Sequence, residues 1–293
     1  MRIHDLLSAG ACLVVVASLA HTASVADVLI ADEKSQPESL TVAPGAVLIV
    51  GSASSPYVYR VRPGSTTAEK FVDASVKGAG TFFLGMLADA ATTTLWTCQI
   101  TQVTPTQRHS ALRSFDLTTG APKIRWNLPG DNNTCNDFAI GPDKALYISD
   151  TPNSKIYRLP AGGSAAELFL EHRALYGIDG ITFLDGTLYV NNVFSNNLYR
   201  IPIDAAGKAG PPVDIWMDQP VKGPDGMRAA NGKLLVAENG SGKISVITVS
   251  GDKASVTVIK EGLKTPTAVE PAGDTIWIAE RGAGKAVSIP MPR

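Results

Sequence analysis

The stretch ITFLDGTLYVNNVFSNNLYRI, residues 181–201, decides the fold of this chain. Apolar residues alternate with other residues on both sides of Asp185-Gly186, which is a strong two-residue turn signal between strands. A loop rich in Asn and Ser follows, and a further apolar segment begins at Leu198. The pattern predicts three successive antiparallel strands.

The same pattern recurs along the chain. Clear copies lie at 138–159, 227–247 and 268–289, and weaker ones at 40–61 and at 86–100 continued by 110–117. Equivalent apolar positions recur every 42 to 51 residues, at Leu48, Leu95, Leu146, Leu188, Leu234 and Ile276. A period of about 40–50 residues with about four strands per copy is typical of β-propellers. The sequence therefore predicts an all-β fold, a six-bladed β-propeller formed by residues 27–293 as a single domain.

The two ends of the repeat region complement each other. The last copy stops after three strands, near Pro290, and the segment Asp27–Ala31 supplies a short apolar strand before the first copy. We expect this N-terminal strand to join the last blade and close the ring, which would cover an exposed strand edge.

The first 26 residues have the features of a secretory signal. Arg2 precedes an apolar run over 6–20, and Ser24-Val25-Ala26 supplies small residues for cleavage before Asp27. The run is short for a stable membrane anchor, although an uncleaved anchor remains the alternative. We expect an exported protein, periplasmic or secreted, without stable membrane insertion after cleavage.

The charge of the chain narrows the classes of partner. Its formal net charge is −1 and it has no long basic or acidic run. Nothing in it suggests a nucleic-acid partner or an anionic membrane surface. The partner we expect is a small-molecule substrate. The oligomeric state is left open.

Polar residues precede the innermost strands of several predicted blades. In a propeller these strands line the central channel, so the residues before them meet at one mouth, and here they are Glu38, Asn136-Asp137, Asp179 and Asp225. The carboxylates of Glu38, Asp179 and Asp225 would repel one another there, and a divalent cation would neutralise them. Oxygen ligands suit Ca²⁺ best, with Mg²⁺, Mn²⁺ and Zn²⁺ left open. Taken singly, each residue could instead cap a turn, and Asp137 is expected to turn outward as such a cap.

Four segments carry a resemblance to a known family. They are PES at 37–39, NDFAIGPDKALYISDT at 136–151, DGITFLDGTLYVNN at 179–192 and PDGMRAANGKLLVAEN at 224–239. Together they resemble the senescence-marker-protein (regucalcin)/gluconolactonase family of six-bladed β-propellers. The resemblance implies one channel metal, with Glu38 and Asp225 as ligands, Asp179 in the place of a ligating Asn, and Asn136 near both metal and substrate.

Two positions depart from that family. Asp179 adds a negative charge where the family has Asn, which should bind the cation more tightly but weaken it as a Lewis acid. Sugar-lactone members often carry an Arg two residues before the third-blade Asn, and this chain has Thr134 there. A gluconolactone-type substrate is therefore not expected, even if lactone hydrolysis is.

Two cysteines remain after the predicted cleavage. Cys98 aligns near the end of a second strand, and Cys135 precedes the inner strand of the next blade. A disulfide between them and two separate buried thiols both remain open.

The resemblance implies a metal-dependent hydrolase of a lactone or ester, with Asp225 as general base and Asn136 contacting the substrate. The alternative is a non-catalytic ligand- or protein-binding propeller with a structural Ca²⁺. A lyase that uses histidines as acid and base is disfavoured, because only His109 and His172 follow the predicted cleavage. The residues that end second strands are expected to be solvated loop residues, namely Asp150, Asn192, Glu238 and Glu280.

Overall fold

The computed structural model describes residues 27–30, 36–104 and 106–292. The predicted signal segment 1–26 lies outside these residues, as does Ala31 of the expected N-terminal strand. The described residues form β-strands and two single-turn 3₁₀ helices, Arg173–Leu175 and Arg281–Ala283, with no α-helix. The all-β prediction is confirmed. None of the helices in this part of the chain could cross a membrane.

The strands fall into consecutive groups of four, which we call units 1 to 6. After β1 (Val28–Leu29), unit 1 contains β2 (Pro37–Ala43), β3 (Val47–Ser52), β4 (Tyr57–Val61) and β5 (Glu69–Asp73). Unit 2 contains β6 (Gly80–Asp89), β7 (Thr94–Thr104), β8 (Gln107–Asp116) and β9 (Pro122–Asn127). Unit 3 contains β10 (Cys135–Ile140), β11 (Leu146–Asp150), β12 (Lys155–Leu159) and β13 (Glu167–Glu171).

The second half of the chain repeats the arrangement. Unit 4 contains β14 (Ile178–Leu184), β15 (Thr187–Asn192), β16 (Leu198–Ile201) and β17 (Val213–Met217). Unit 5 contains β18 (Pro224–Ala230), β19 (Lys233–Glu238), β20 (Lys243–Ser250) and β21 (Lys253–Lys260). Unit 6 contains β22 (Pro266–Ala272), β23 (Thr275–Glu280), β24 (Lys285–Pro290) and the N-terminal strand β1, because Val28 and Leu29 pair antiparallel with Ala286 and Lys285.

The described strands form a propeller-like arrangement of four four-stranded sheets and one eight-stranded sheet. Units 4 and 5 share the larger sheet, which differs from the expectation of six separate blades. The cause lies in their outermost strands: β17 and β21 pair in parallel, with Trp216 opposite Lys253 and Met217 opposite Ala254. Two edges that would otherwise expose backbone N–H and C=O groups thereby satisfy each other.

A register shift interrupts the first strand of every unit, at its start in five units and in the middle of β6 in unit 2. The shifts lie between Pro37 and Leu40, Phe83 and Met86, Cys135 and Phe138, Ile178 and Ile181, Pro224 and Met227, and Pro266 and Ala268. Bulges of this kind redirect side chains and are common next to functional sites. The four candidate metal ligands fall inside these shifts, namely Glu38, Asn136, Asp179 and Asp225.

Apolar side chains fill the spaces between adjacent sheets. One cluster, which includes Ile49, Val58, Phe83, Met86 and Leu95, joins units 1 and 2. Another, which includes Ile156, Ile178, Ile181 and Val190, joins units 3 and 4. The core therefore forms a ring of packed layers, and the first strands of all units face the centre of that ring.

Candidate functional site

The first strands bring four predicted residues together at one mouth of the channel. Glu38, Asn136, Asp179 and Asp225 line a single cavity of about 10 Å³. They come from units 1, 3, 4 and 5, and their exposed fractions are 7%, 8%, 7% and 7%. A cavity of this size admits about one water-sized sphere, so the four side chains surround a space suited to a single water or ion.

Glycines allow the inner strands to approach each other this closely. A Cβ atom on Gly85 would lie 2.0 Å from the carbonyl oxygen of Asn136, and one on Gly180 would lie 2.6 Å from that of Asp225. Because real Cβ contacts are not this short, any larger residue at these positions would push neighbouring units apart. The glycines thus set the width of the mouth.

Hydrogen bonds fix the polar groups around the cavity. The Nδ2 of Asn136 donates to Asp179 Oδ2 at 2.8 Å and to Thr151 Oγ1 at 2.9 Å. The Nδ2 of Asn239 donates to Asp225 Oδ2 at 3.0 Å. Both hydrogens of the Asn136 amide are used in these contacts, so its Oδ1 is the atom left to act as a ligand or acceptor.

Burial makes the three carboxyl groups hard to ionise. It raises the pKa of Glu38 and of Asp179 well above their ordinary values, and repulsion from Asp225 adds to the rise in both. Burial also raises the pKa of Asp225 to about 7, although hydrogen bonds with Asn239 and Asp179 partly oppose the effect. A cation bound at the mouth would lower these pKa values again, because it stabilises the ionised carboxylates.

The donor set fits a hard divalent cation by its chemistry. Three carboxylates and an amide oxygen are the oxygen ligands that Ca²⁺ accepts in irregular geometry. Across the described residues, however, no group of three or more His, Cys, Asp or Glu side chains is already gathered in metal-ligand geometry. Asp179 Oδ2 already accepts a hydrogen bond from Asn136. A bound cation would have to compete with that contact and with the protons on the buried carboxyls.

A buried ion-pair network adjoins the candidate ligands, because Asp137 and Arg228 line the same cavity. Nη1 and Nη2 of Arg228 bond Asp137 Oδ2 and Oδ1 at 2.8 and 3.1 Å, and its Nε bonds Glu270 Oε2 at 3.1 Å. Asp137 is buried, so the expectation that it turns outward is wrong. The bulge at the start of β10 directs both Asn136 and Asp137 toward the channel, where the guanidinium of Arg228 offsets the cost of burying Asp137.

This network reaches every unit of the ring. Arg228 Nη2 donates to the carbonyl oxygen of Met86 in unit 2 at 3.1 Å. Thr41 of unit 1 donates its hydroxyl to Glu270 Oε1 at 3.1 Å, and the backbone N–H of Ile181 in unit 4 donates to Asp137 Oδ2 at 3.3 Å. Asp137, Arg228 and Glu270 themselves belong to units 3, 5 and 6. The hydrogen bonds of Arg228 and of its two carboxylate partners therefore link all six units.

The residues that end second strands are buried and were wrongly expected to be solvated loop residues. Asp150 Oδ1 accepts from Thr134 N at 2.9 Å, Glu238 Oε2 from Lys222 N at 3.0 Å, and Glu280 Oε1 from Lys264 N at 2.7 Å. Asn192 instead donates its Nδ2 to the Tyr176 carbonyl at 2.8 Å. Each side chain fastens the segment that leads into its own unit's first strand, so each supports the mouth.

The structure joins Cys98 and Cys135 in a disulfide, with a Cα–Cα distance of 5.3 Å. Both residues are completely buried, and Cys135 is the neighbour of Asn136. The bond attaches the second strand of unit 2 to the first strand of unit 3 beside the cavity. It therefore restrains the backbone that positions Asn136.

The sequence analysis did not identify Arg281, whose positively charged side chain acts on the carboxyl groups at the mouth. The positive charge of Arg281, in unit 6, lowers the pKa values of Glu38 and Asp225 and so partly opposes their rise. Its Nε donates to Gln36 Oε1 at 3.2 Å. The guanidinium near the carboxylates thus comes from Arg281 and not from position 134, where Thr134 is buried.

Neither histidine of the predicted mature chain lines the acidic cavity. His172 caps a single-turn helix, because its Nδ1 accepts from Ala174 N at 3.2 Å. His109 lies on β8 opposite Thr101 of β7.

Comparison with known proteins finds no matching family model and no matching curated protein. Among solved structures, the chain is similar to a provisionally assigned gluconolactonase, with 18% identity, a TM-score of 0.66, and coverage of 90% of this chain and 91% of that one. It is similar to the PQQ-bound aldose sugar dehydrogenase from Streptomyces coelicolor, with 16% identity, a TM-score of 0.65, and coverage of 91% and 97%.

A third similar structure is a catalytically inactive variant of virginiamycin B lyase from Staphylococcus aureus with quinupristin, with 15% identity, a TM-score of 0.62, and coverage of 91% and 99%. At these identities the similarities establish a shared fold. The chain thus has the β-propeller arrangement found in gluconolactonase-like proteins, sugar dehydrogenases and lyases.

Proposed function

We propose that this protein is an exported, metal-dependent hydrolase of a lactone or ester. On this proposal it is a six-bladed propeller, with the eight-stranded sheet counted as two blades, related to the senescence-marker-protein/gluconolactonase family. One observation carries the proposal: Glu38, Asp179 and Asp225 come from three different units and are buried around one small cavity beside Asn136.

The residues around the cavity have distinct roles in this proposal. Glu38, Asp179 and Asp225 would hold the cation, Ca²⁺ by preference, and Asn136 would add its Oδ1. When bound, such a cation would polarise a carbonyl oxygen and acidify a water molecule. Asp225 would also accept a proton from that water as general base.

Other observations support parts of the proposal. The similarity to a gluconolactonase-like structure favours a propeller enzyme, although the substrates of the neighbours do not carry over at this identity. The Cys98–Cys135 disulfide favours an oxidising compartment, as export through the predicted signal would provide. The absence of His109 and His172 from the residues that line the acidic cavity disfavours histidine-based lyase chemistry there.

The size of the cavity favours a second candidate function. A space of about 10 Å³ accommodates an ion but not a substrate, as expected if a structural Ca²⁺ only rigidifies the mouth of a binding propeller. In that case the protein would bind cation without hydrolysing anything.

The deciding experiment is metal analysis of the purified mature protein, followed by a panel of lactones and esters with EDTA and with added Ca²⁺. Bound metal with EDTA-sensitive hydrolysis supports the hydrolase. Bound metal without hydrolysis supports the structural cation. If neither bound metal nor hydrolysis is detected, both candidate functions are refuted. Asp225→Ala should abolish metal binding, and unchanged affinity would refute the ligand assignment.

A further inference from the structure

Two adjacent, exposed aromatic rings belong to the loops that flank the first two strands of unit 4. Tyr176 and Phe194 are 58% and 60% exposed, and their ring centroids are 5.5 Å apart at an interplanar angle of 53°. Tyr176 precedes β14 and Phe194 follows β15, so both belong to loops on the face where Asp179 begins its strand. Single exposed apolar residues are ordinary on a protein surface, whereas contiguous apolar patches mark contact sites.

A buried asparagine holds both loops in place. Asn192 donates its Nδ2 to the carbonyl oxygen of Tyr176 at 2.8 Å, and its Oδ1 accepts from Phe194 N at 3.0 Å and Ser195 N at 2.9 Å. Because one side chain fixes the backbone at both rings, the pair has a defined position despite its exposure.

The rings are also fixed relative to the acidic cavity. Gly177 has a φ of 91°, and a Cβ atom there would lie 2.5 Å from Cδ2 of Phe194 and 2.7 Å from Oδ1 of Asn192. The Phe194 ring therefore packs against the bare Cα of a residue that is two positions before Asp179. A side chain at position 177 would displace the ring.

The cavity itself limits what a substrate can place inside it. Its volume of about 10 Å³ has room for one ion or one water-sized group and little else, so the body of a substrate must rest outside it. On the face where the strand of Asp179 begins, Tyr176 and Phe194 present two apolar ring faces, which stack with planar rings and exclude water from them.

We propose that Tyr176 and Phe194 form a subsite for a ring-bearing apolar group of the substrate. The substrate class is then an aryl or arylalkyl ester or lactone, in which the ring rests on this pair while the carbonyl reaches the carboxylate cavity. The assignment of a substrate rests on the proposed hydrolase function, whereas the binding of a ring does not.

Matched esters and variants test the subsite under turnover. Tyr176→Ala and Phe194→Ala should each raise the KM for methyl phenylacetate about three- to tenfold and leave kcat/KM for methyl acetate unchanged. Trp216→Ala is the control, because Trp216 is 62% exposed but lies on β17, an outermost strand. Equal effects on both esters, or the same effect from Trp216→Ala, would overturn the proposal.

A binding experiment separates the subsite from the hydrolase function. Saturation-transfer NMR on the EDTA-treated protein should detect N-benzylacetamide but not N-methylacetamide, and Phe194→Ala should remove the signal. Ring-selective binding without ester hydrolysis keeps the subsite and removes the hydrolase. Hydrolysis without ring-selective binding supports the hydrolase function and overturns the subsite. Sedimentation that shows a dimer broken by Phe194→Ala would overturn the subsite, since the rings would then pack against a second copy.

Discussion

Arg228 bonds both carboxylate oxygens of Asp137, at 2.8 and 3.1 Å, in the centre of the propeller ring. The two residues are 91 positions apart and belong to units 5 and 3. The guanidinium also pairs with Glu270, so one positive charge faces two buried carboxylates. The charge of Arg228 is thus already matched by Asp137 and Glu270, and it leaves no positive charge over for Glu38, Asp179 and Asp225 around the same cavity.

Arg228→Met should strongly destabilise the fold. It removes the positive charge but keeps much of the side-chain length, and so leaves Asp137 and Glu270 without a cationic partner. Breaking one side of a buried ion pair costs about 3–5 kcal/mol. The free energy of unfolding, measured by urea denaturation, should fall by that amount.

Arg200→Met is the matched control for this prediction. Arg200 Nη2 lies 2.6 Å from Asp252 Oδ1, but this pair is largely exposed. Exposed pairs contribute at most about 1 kcal/mol, so the control should change little. Similar losses in the two variants would show that burial of the Arg228 network contributes no special stability.

The strands could be predicted from the sequence because their signal is local. Alternation of apolar residues with a turn such as Asp185-Gly186 identifies a hairpin without knowledge of the rest of the chain. The candidate ligands were found for the same reason, since they occupy equivalent positions in a visible repeat. The structure brings Glu38, Asn136, Asp179 and Asp225 to one cavity.

The missed features depend on contacts between distant segments. Arg228 looks like any polar residue in an alternating strand, and only the closed ring brings it to Asp137. Asp150 and Glu238 resemble loop residues in the sequence, but incoming segments cover them and donate backbone N–H groups. The parallel pairing of β17 with β21 leaves no local pattern at all, because it joins two outermost strands through backbone groups.

The pH dependence of stability should show the cost of ionising Asp225. The pKa of this group is about 7 in the folded protein and about 3.9 in an unfolded chain. Its contribution to stability is therefore fully present below about pH 4 and is lost as the pH rises through about 7. In EDTA, Asp225→Asn should be increasingly more stable than the wild type between about pH 4.5 and pH 8, as measured by urea denaturation.

Added Ca²⁺ should reverse this order. A cation that binds only the folded wild type stabilises it by mass action, and the effect should grow with pH as the carboxyl groups release their protons. A constant difference between the two proteins at all pH values, with and without Ca²⁺, would contradict both the raised pKa and the cation site.

Removal of the Cys98–Cys135 bond should lower stability substantially. The bond links residues 37 positions apart, and closing a loop of that length restricts the unfolded chain by about 4 kcal/mol in the chain-entropy description. The double variant Cys98→Ala/Cys135→Ala should lose roughly 2–5 kcal/mol in urea denaturation. Dithiothreitol should destabilise the wild type but leave this variant unchanged, and a reductant effect of equal size on both would contradict the assignment.

Asp179→Asn should weaken cation binding and preserve the fold. The introduced amide oxygen would still accept from Asn136, so the hydrogen bond at this position can persist. The substitution removes one of three negative charges around the cavity, and the affinity of oxygen-ligand sites follows their charge count. The Kd for Ca²⁺, measured by calorimetry, should rise about tenfold or more.

The same variant tests the chemical consequence of the extra charge. With one carboxylate fewer, a bound cation keeps more of its own charge and polarises a carbonyl more strongly. At saturating Ca²⁺ the kcat for ester hydrolysis should therefore rise while metal affinity falls. Asp137→Asn is a poor substitute for this test because the Asp137 carboxylate is already paired with Arg228. An Asp179→Asn protein with unchanged Ca²⁺ affinity would exclude Asp179 as a ligand.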